Sequence, residues 1–153
     1  MIPDTAMAPT WLTGLRRYLA VSLGAHLTWE VLHLPLYTLW KVSNARELAV
    51  AILHCTAGDM LIALSVLASA LVAAGTTAWP AAARLRVGLL TLMLGLGYTI
   101  FSEWWNVHVT KTWAYSDLMP VVPLTGIGVS PLLQWLVVPA MALAIASRGS
   151  RPC

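Results

Sequence analysis

His26-Leu-Thr-Trp-Glu30-Val-Leu-His33 places two imidazoles and a carboxylate on one side of a stretch that is otherwise apolar. At about 100° per residue, His26, Glu30, His33 and Tyr37 fall within a sector about 60° wide, so a helix presents them as one stripe. Ionisable groups in such surroundings face a protein interior, pair with one another and mark a site or pathway. Further along come His54 and Asp59, then Ser102, Glu103, Asn106 and His108, then Gln134-Trp135. Carboxyl and imidazole groups held together in an apolar cavity can pass a proton to and from a bound molecule, because a carboxylic acid there keeps its proton more readily. On this reading His26, Glu30, Asp59 and Glu103 are the candidate catalytic groups. Trp29, Tyr37, Asn106, Gln134 and Trp135 are the candidate substrate contacts, the indoles offering ring faces to developing positive charge.

The elements that must position these groups are membrane-spanning helices. The chain has 153 residues, 59% hydrophobic and 10% charged, against about 25% charged residues in a soluble domain. Four apolar runs, approximately 18–40, 48–74, 87–109 and 130–147, each approach the ~20 residues that cross the hydrocarbon. The expected fold is all-α, a polytopic four-helix transmembrane bundle forming a single domain over 1–153. Pro35 is expected to kink the first span, and Thr110 to Gly128 suits an interfacial or partly re-entrant cap above a cavity. The fourth span carries little polarity beyond Gln134, so it is expected mainly to close the bundle.

Of nine Lys and Arg, Arg16, Arg17, Arg84, Arg86, Arg148 and Arg151 flank one set of span ends and Lys41, Arg46 and Lys111 the other. The positive-inside rule then puts both termini in the cytoplasm of an inner-membrane protein. The first span follows Arg16-Arg17 but has no small-residue cleavage site, so it reads as a retained helix rather than a signal peptide. The net charge of +3 follows from this bias, and no basic patch interleaved with aromatics suggests nucleic acid. Cys55 and Cys153 make neither a disulfide framework nor a CxxC site. Trp11, Trp40, Trp79 and Trp113 fit an interfacial aromatic belt.

Counting about 1.5 Å per residue inward from Lys41, Arg46 and Lys111 sorts the polar groups into layers. His33, His54 and Glu103 fall at one depth, with Glu30, Asp59 and His26 deeper. The first layer is a candidate site for one divalent transition metal, an alternative to the cofactor-free acid–base reading. A proton-coupled transporter uses the same groups as a relay, with a homodimer supplying a complete pathway. The plainest alternative is interhelical glue, at about 0.6 kcal/mol per hydrogen bond in a membrane. His108 points away from the polar side of its helix, near the helix end.

His26-Leu-Thr-Trp-Glu30 followed by Leu34-Pro-Leu-Tyr37 resembles the first functional helix of the emopamil-binding protein group, the sterol isomerases and their EXPERA-domain relatives. Asp59 resembles the acidic position of that family's second helix, and Gln134-Trp135 with Pro139 resembles its Asn-x-x-Trp-x-x-x-Pro pattern. The amide here sits directly beside the tryptophan, and His33, His54 and Glu103 have no counterpart. The resemblance implies a helical fold around a lipid cavity, with His26, Glu30, Asp59 and Trp135 serving double-bond isomerisation or cyclisation of a sterol- or isoprenoid-like lipid. The implied partners are a lipophilic small molecule and membrane lipids.

Overall fold

The structure is a computed structural model that describes residues 10–148; Arg151 and Cys153 lie outside them. It is all-helical: α1 Thr10–His33, a 3-10 turn Leu34–Leu36, α2 Leu39–Val42, α3 Ala45–Ala74, α4 Arg84–Trp104 running into a π-helical turn Trp105–Val109, and α5 Val129–Ala146. Three segments, Ala45–Ala74, Arg84–Val109 and Val129–Ala146, are long and apolar enough to cross a membrane. The 24-residue α1 carries Arg16, Arg17, His26 and Glu30 within its length.

The first predicted span differs most from the structure. It starts at Thr10 rather than near Arg17, and it ends at His33 rather than near Trp40. Pro35 is the cause of the early end. It has no N–H to give the carbonyl four residues back, and it disfavours helical geometry at Leu34. The chain tightens into the 3-10 turn and is extended at Tyr37, so Pro35 stops the helix instead of kinking it. The next long helix starts at a reciprocal cap. Asn44 Oδ1 accepts from the Arg46 and Glu47 amides, and Glu47 Oε2 accepts from the Asn44 amide, which satisfies donors that a helix start leaves free. Gly75, at φ 59°, ends it; the left-handed conformation suits glycine there.

The long helices pack in the cyclic order α1, α3, α4, α5. At one end the Arg17 side chain donates to the Arg148 carbonyl, tying the start of α1 to the end of α5. This end is a solid core of Tyr18, Ala63, Leu67, Ala70, Ala74, Trp79, Val87 and Ala142. The α3 seam therefore runs through Ala63, Leu67, Ala70 and Ala74, while Ser65 and Ser69 are exposed. Trp79 is buried edge-on against Tyr18 and does not belong to a surface belt. At the opposite end α3 parts from its neighbours. Of its residues 45–62, Thr56 alone is fully buried, and the space so created is roofed by 110–128. The roof is stitched to the segment after α1: the Thr38 amide donates to the Ala114 carbonyl, the Ser116 amide to the Leu36 carbonyl, and the Ser116 hydroxyl to the Pro35 carbonyl.

Candidate functional site

Below the roof lies a cavity of about 340 Å³, within the range of small-molecule sites though at its lower end. Glu30, His33, Asp59, Glu103 and Gln134 supply polar groups to its lining, and Tyr37, Tyr98, Trp113 and Trp135 supply aromatic ones. Its side is formed by His54, Cys55 and Tyr98, all exposed. The cavity thus opens laterally, where α3 stands away from α4.

The centre of the polar cluster is the α5 amide. Gln134 Nε2 lies 3.1 Å from Glu30 Oε1, 3.0 Å from Asp59 Oδ2 and 3.0 Å from His26 Nδ1. An amide nitrogen carries two protons, so it cannot donate to all three. His26 Nδ1 is also 3.3 Å from Asp59 Oδ2. A proton shared by His26 and Asp59 satisfies that contact and leaves the two amide protons for the two carboxyl groups. The His26 ring is fully buried and packs 5.2 Å from the Trp135 ring; its Nε2 is buried without a partner.

Gly95 makes this corner. A Cβ at that position would lie 2.6 Å from the Trp135 ring, so α4 reaches the indole only because residue 95 has no side chain. Glu30 uses its second oxygen for His33, whose Nε2 is 3.1 Å from Oε2. His33 Nδ1 in turn is 3.2 Å from Ser130 Oγ, which accepts from Trp29 Nε1 at 3.1 Å.

Glu103 belongs to the same cavity but to another arrangement. It accepts from the Tyr115 hydroxyl, whose oxygen accepts from the Gly128 amide at 2.9 Å. Burial pushes the Tyr115 phenol above its ordinary range, and the neighbouring Glu103 pushes it the same way. Tyr115 therefore stays a donor and pins the roof to α4.

Of the predicted site residues, the structure brings His26, Glu30, Asp59, Gln134 and Trp135 into one cluster, with Tyr37 and Glu103 elsewhere on the cavity wall. His26 does not face the cavity; it stands behind Asp59 and Gln134. Two predicted substrate contacts lie elsewhere. Trp29 turns outward, lining a shallow apolar groove with Gly24, Thr28 and Val137. Asn106 folds back onto its own helix, donating to the Ser102 carbonyl at 2.9 Å.

The predicted metal layer does not assemble. His33 is bonded to Glu30 and Ser130, Glu103 to Tyr115, and His54 is exposed at the mouth. Among the described residues no three His, Cys, Asp or Glu side chains form a metal-ligand group. Of the predicted metal layer only His33 joins the deeper groups, through its bond to Glu30. His108 lies outside the site, its Nε2 3.1 Å from the Thr125 carbonyl.

Three residues that line or brace the cavity escape the sequence reading. Ser130 and Tyr115 act through contacts made across the fold, and no local spacing signals them. Trp113, expected at a membrane surface, lines the cavity with its Nε1 buried and unpartnered. No family model, curated protein or solved structure matches the chain.

Proposed function

We propose that this chain is a four-helix membrane protein that holds a lipophilic small molecule in the roofed cavity and moves protons to and from it. The observation that carries the reading is the convergence of Glu30, Asp59 and His26 on the Gln134 amide beside an apolar cavity. In the proposed fold α1 is the fourth span. Its polar stripe turns inward, while Leu23, Val31 and Leu32 are exposed on its outer side, the distribution a lipid-facing helix needs. Arg16, Arg17, Arg84, Arg86 and Arg148 lie toward one end of the helices, a bias that supports an orientation with both termini in the cytoplasm and the roof on the other side of an inner membrane.

With both Glu30 oxygens accepting, from Gln134 and from His33, the proton is delivered from Asp59, which lines the cavity. His26 then holds the Asp59 proton in place from behind. Glu103 is the acceptor on the facing wall, and Trp135, Trp113 and Tyr98 are the aromatic surfaces able to stabilise positive charge. Such an arrangement suits double-bond isomerisation or cyclisation through a protonated intermediate. The residues that carry the EXPERA resemblance, His26, Glu30, Asp59 and Gln134-Trp135, are those that meet in space, which supports an isoprenoid- or sterol-like lipid as the substrate class.

The test is extraction and mass spectrometry of lipids that co-purify with the detergent-solubilised protein, comparing wild type with Gly58→Phe. Gly58 lines the cavity and has nothing within 4 Å of its missing side chain, so phenylalanine fills the space. A non-phospholipid present at near one per chain in wild type and depleted in the variant is the expected result. Bulk phospholipid alone, equal in both, would sink the reading.

A further inference from the structure

We infer that Trp29, from the outer side of α1, is a positioning residue that keeps His33 neutral with its proton on Nε2, acting through Ser130. The inference goes beyond the proposed function and holds whatever occupies the cavity. It follows from the direction each hydrogen bond must run. The Trp29 indole nitrogen only donates, so at 3.1 Å the Ser130 hydroxyl oxygen accepts from it. Ser130 has one proton of its own. Among the hydrogen bonds of the described residues the remaining contact of its hydroxyl is His33 Nδ1, at 3.2 Å. Donated there, that proton requires Nδ1 to be a bare acceptor. His33 then carries its proton on Nε2, which faces Glu30 Oε2 at 3.1 Å.

The far end of the chain demands the same assignment, because an ionised Glu30 oxygen can only accept. Were His33 doubly protonated, its Nδ1–H would point at an oxygen already receiving the Trp29 proton. The Ser130 proton would then lose its acceptor in a buried place, and leaving such a group unpaired is unfavourable. Ser130 is 9% exposed and His33 8%, so water does not readily substitute. The position of Ser130, one residue into α5, lets it reach both rings of α1. Trp29 and His33 are one helical turn apart, which brings their ring nitrogens to the same hydroxyl.

Nitrogen-15 NMR of the histidine rings at neutral pH tests this in the detergent-solubilised full chain, with His33 assigned by loss of its signals in His33→Gln. Wild type is expected to show His33 with a pyridine-like Nδ1 and a protonated Nε2. Trp29→Phe keeps an aromatic ring but removes the donor that fixes which way the Ser130 hydroxyl turns, so the hydroxyl can swing its proton off Nδ1 and a protonated Nδ1 signal should appear. Ser130→Ala probes the same link from the other end and should also change the Nδ1 signal, so one variant suffices if the other does not fold. Ser130→Thr retains the hydroxyl and should restore the wild-type pattern, which a merely structural role for Trp29 would not require. A protonated Nδ1 in wild type, or a Trp29→Phe spectrum identical to wild type at His33, overturns the inference.

Discussion

Replacing Gln134 by leucine removes the amide at the centre of the cluster while nearly preserving the buried volume. Gln134 is 2% exposed, so solvent does not compensate. Its Nε2 donates two hydrogen bonds, to Glu30 Oε1 at 3.1 Å and Asp59 Oδ2 at 3.0 Å. Interhelical hydrogen bonds in membrane proteins average about 0.6 kcal/mol and reach about 1.7, so two bonds account for about 1–3 kcal/mol. The carboxyl oxygens left behind add a desolvation penalty of about 1–3 kcal/mol where nothing moves in to pair them. A net loss of about 2–6 kcal/mol is expected, read from reversible unfolding by SDS titration in mixed micelles. The sharper measure is a double-mutant cycle with Asp59→Ala. If the amide is a shared hub, the two changes are non-additive by on the order of 1 kcal/mol. The exposed Asp117 is the control: Asp117→Ala combined with Gln134→Leu should be additive within about 0.5 kcal/mol. Additivity at Asp59 as close as at Asp117, or a Gln134→Leu protein as stable as wild type, refutes the hub.

Gly95→Ala drives a methyl group to within 2.6 Å of the Trp135 ring and should destabilise by about 1–3 kcal/mol through overpacking. Gly97→Ala, with nothing within 4 Å, should leave stability unchanged or raise it by about 0.5–1 kcal/mol in the same unfolding assay. Cys55 lies at the lateral mouth of the cavity, so in a Cys153→Ser background a lipophilic maleimide should label it. A membrane-impermeant charged maleimide should not, and equal labelling rates in intact vesicles would mean the mouth opens to water. Cysteines introduced at Ser43 and Thr77 should react with impermeant reagent from opposite faces of oriented vesicles; access from one face to both would refute the proposed topology.

The helices were legible because membrane-length apolar runs are a strong signal. The second, third and fourth predicted spans, 48–74, 87–109 and 130–147, differ from the structure by at most three residues at either end. The first differs because hydropathy continues through Leu34, Leu36, Leu39 and Trp40 after the helix has stopped at His33. Apolar composition records where a segment can be buried, not whether its backbone is helical, and Pro35 decides the latter. The tryptophans show the same ambiguity. Trp11 and Trp40 are exposed as an interfacial residue would be, whereas Trp79 and Trp113 turn inward, a choice set by the loops that carry them.

The site was half legible for a related reason. A polar stripe is a property of one helix, so His26, Glu30 and His33 announce themselves by spacing, and Asp59 by standing charged among apolar neighbours. Which helix answers them is a property of packing. The fourth span was read as a nearly apolar closing wall, yet its single amide is the group on which three predicted residues meet. An amide alone in such a span has no periodicity, but its isolation is informative. In apolar surroundings Gln134 needs partners, and carboxyl groups on neighbouring helices are the complementary ones. Depth counting failed in a parallel way. It assumed an unbroken rise from His33 to Lys41, which the turn at Pro35 abolishes, and so set His33 level with His54 and Glu103 when its bond is to Glu30, one turn back on α1. Glu30 has two oxygens, one given to Gln134 and the other to His33. A change at His33 should therefore be felt at Gln134 through Glu30, and separate roles for His33 and Glu30 are not what this geometry supports.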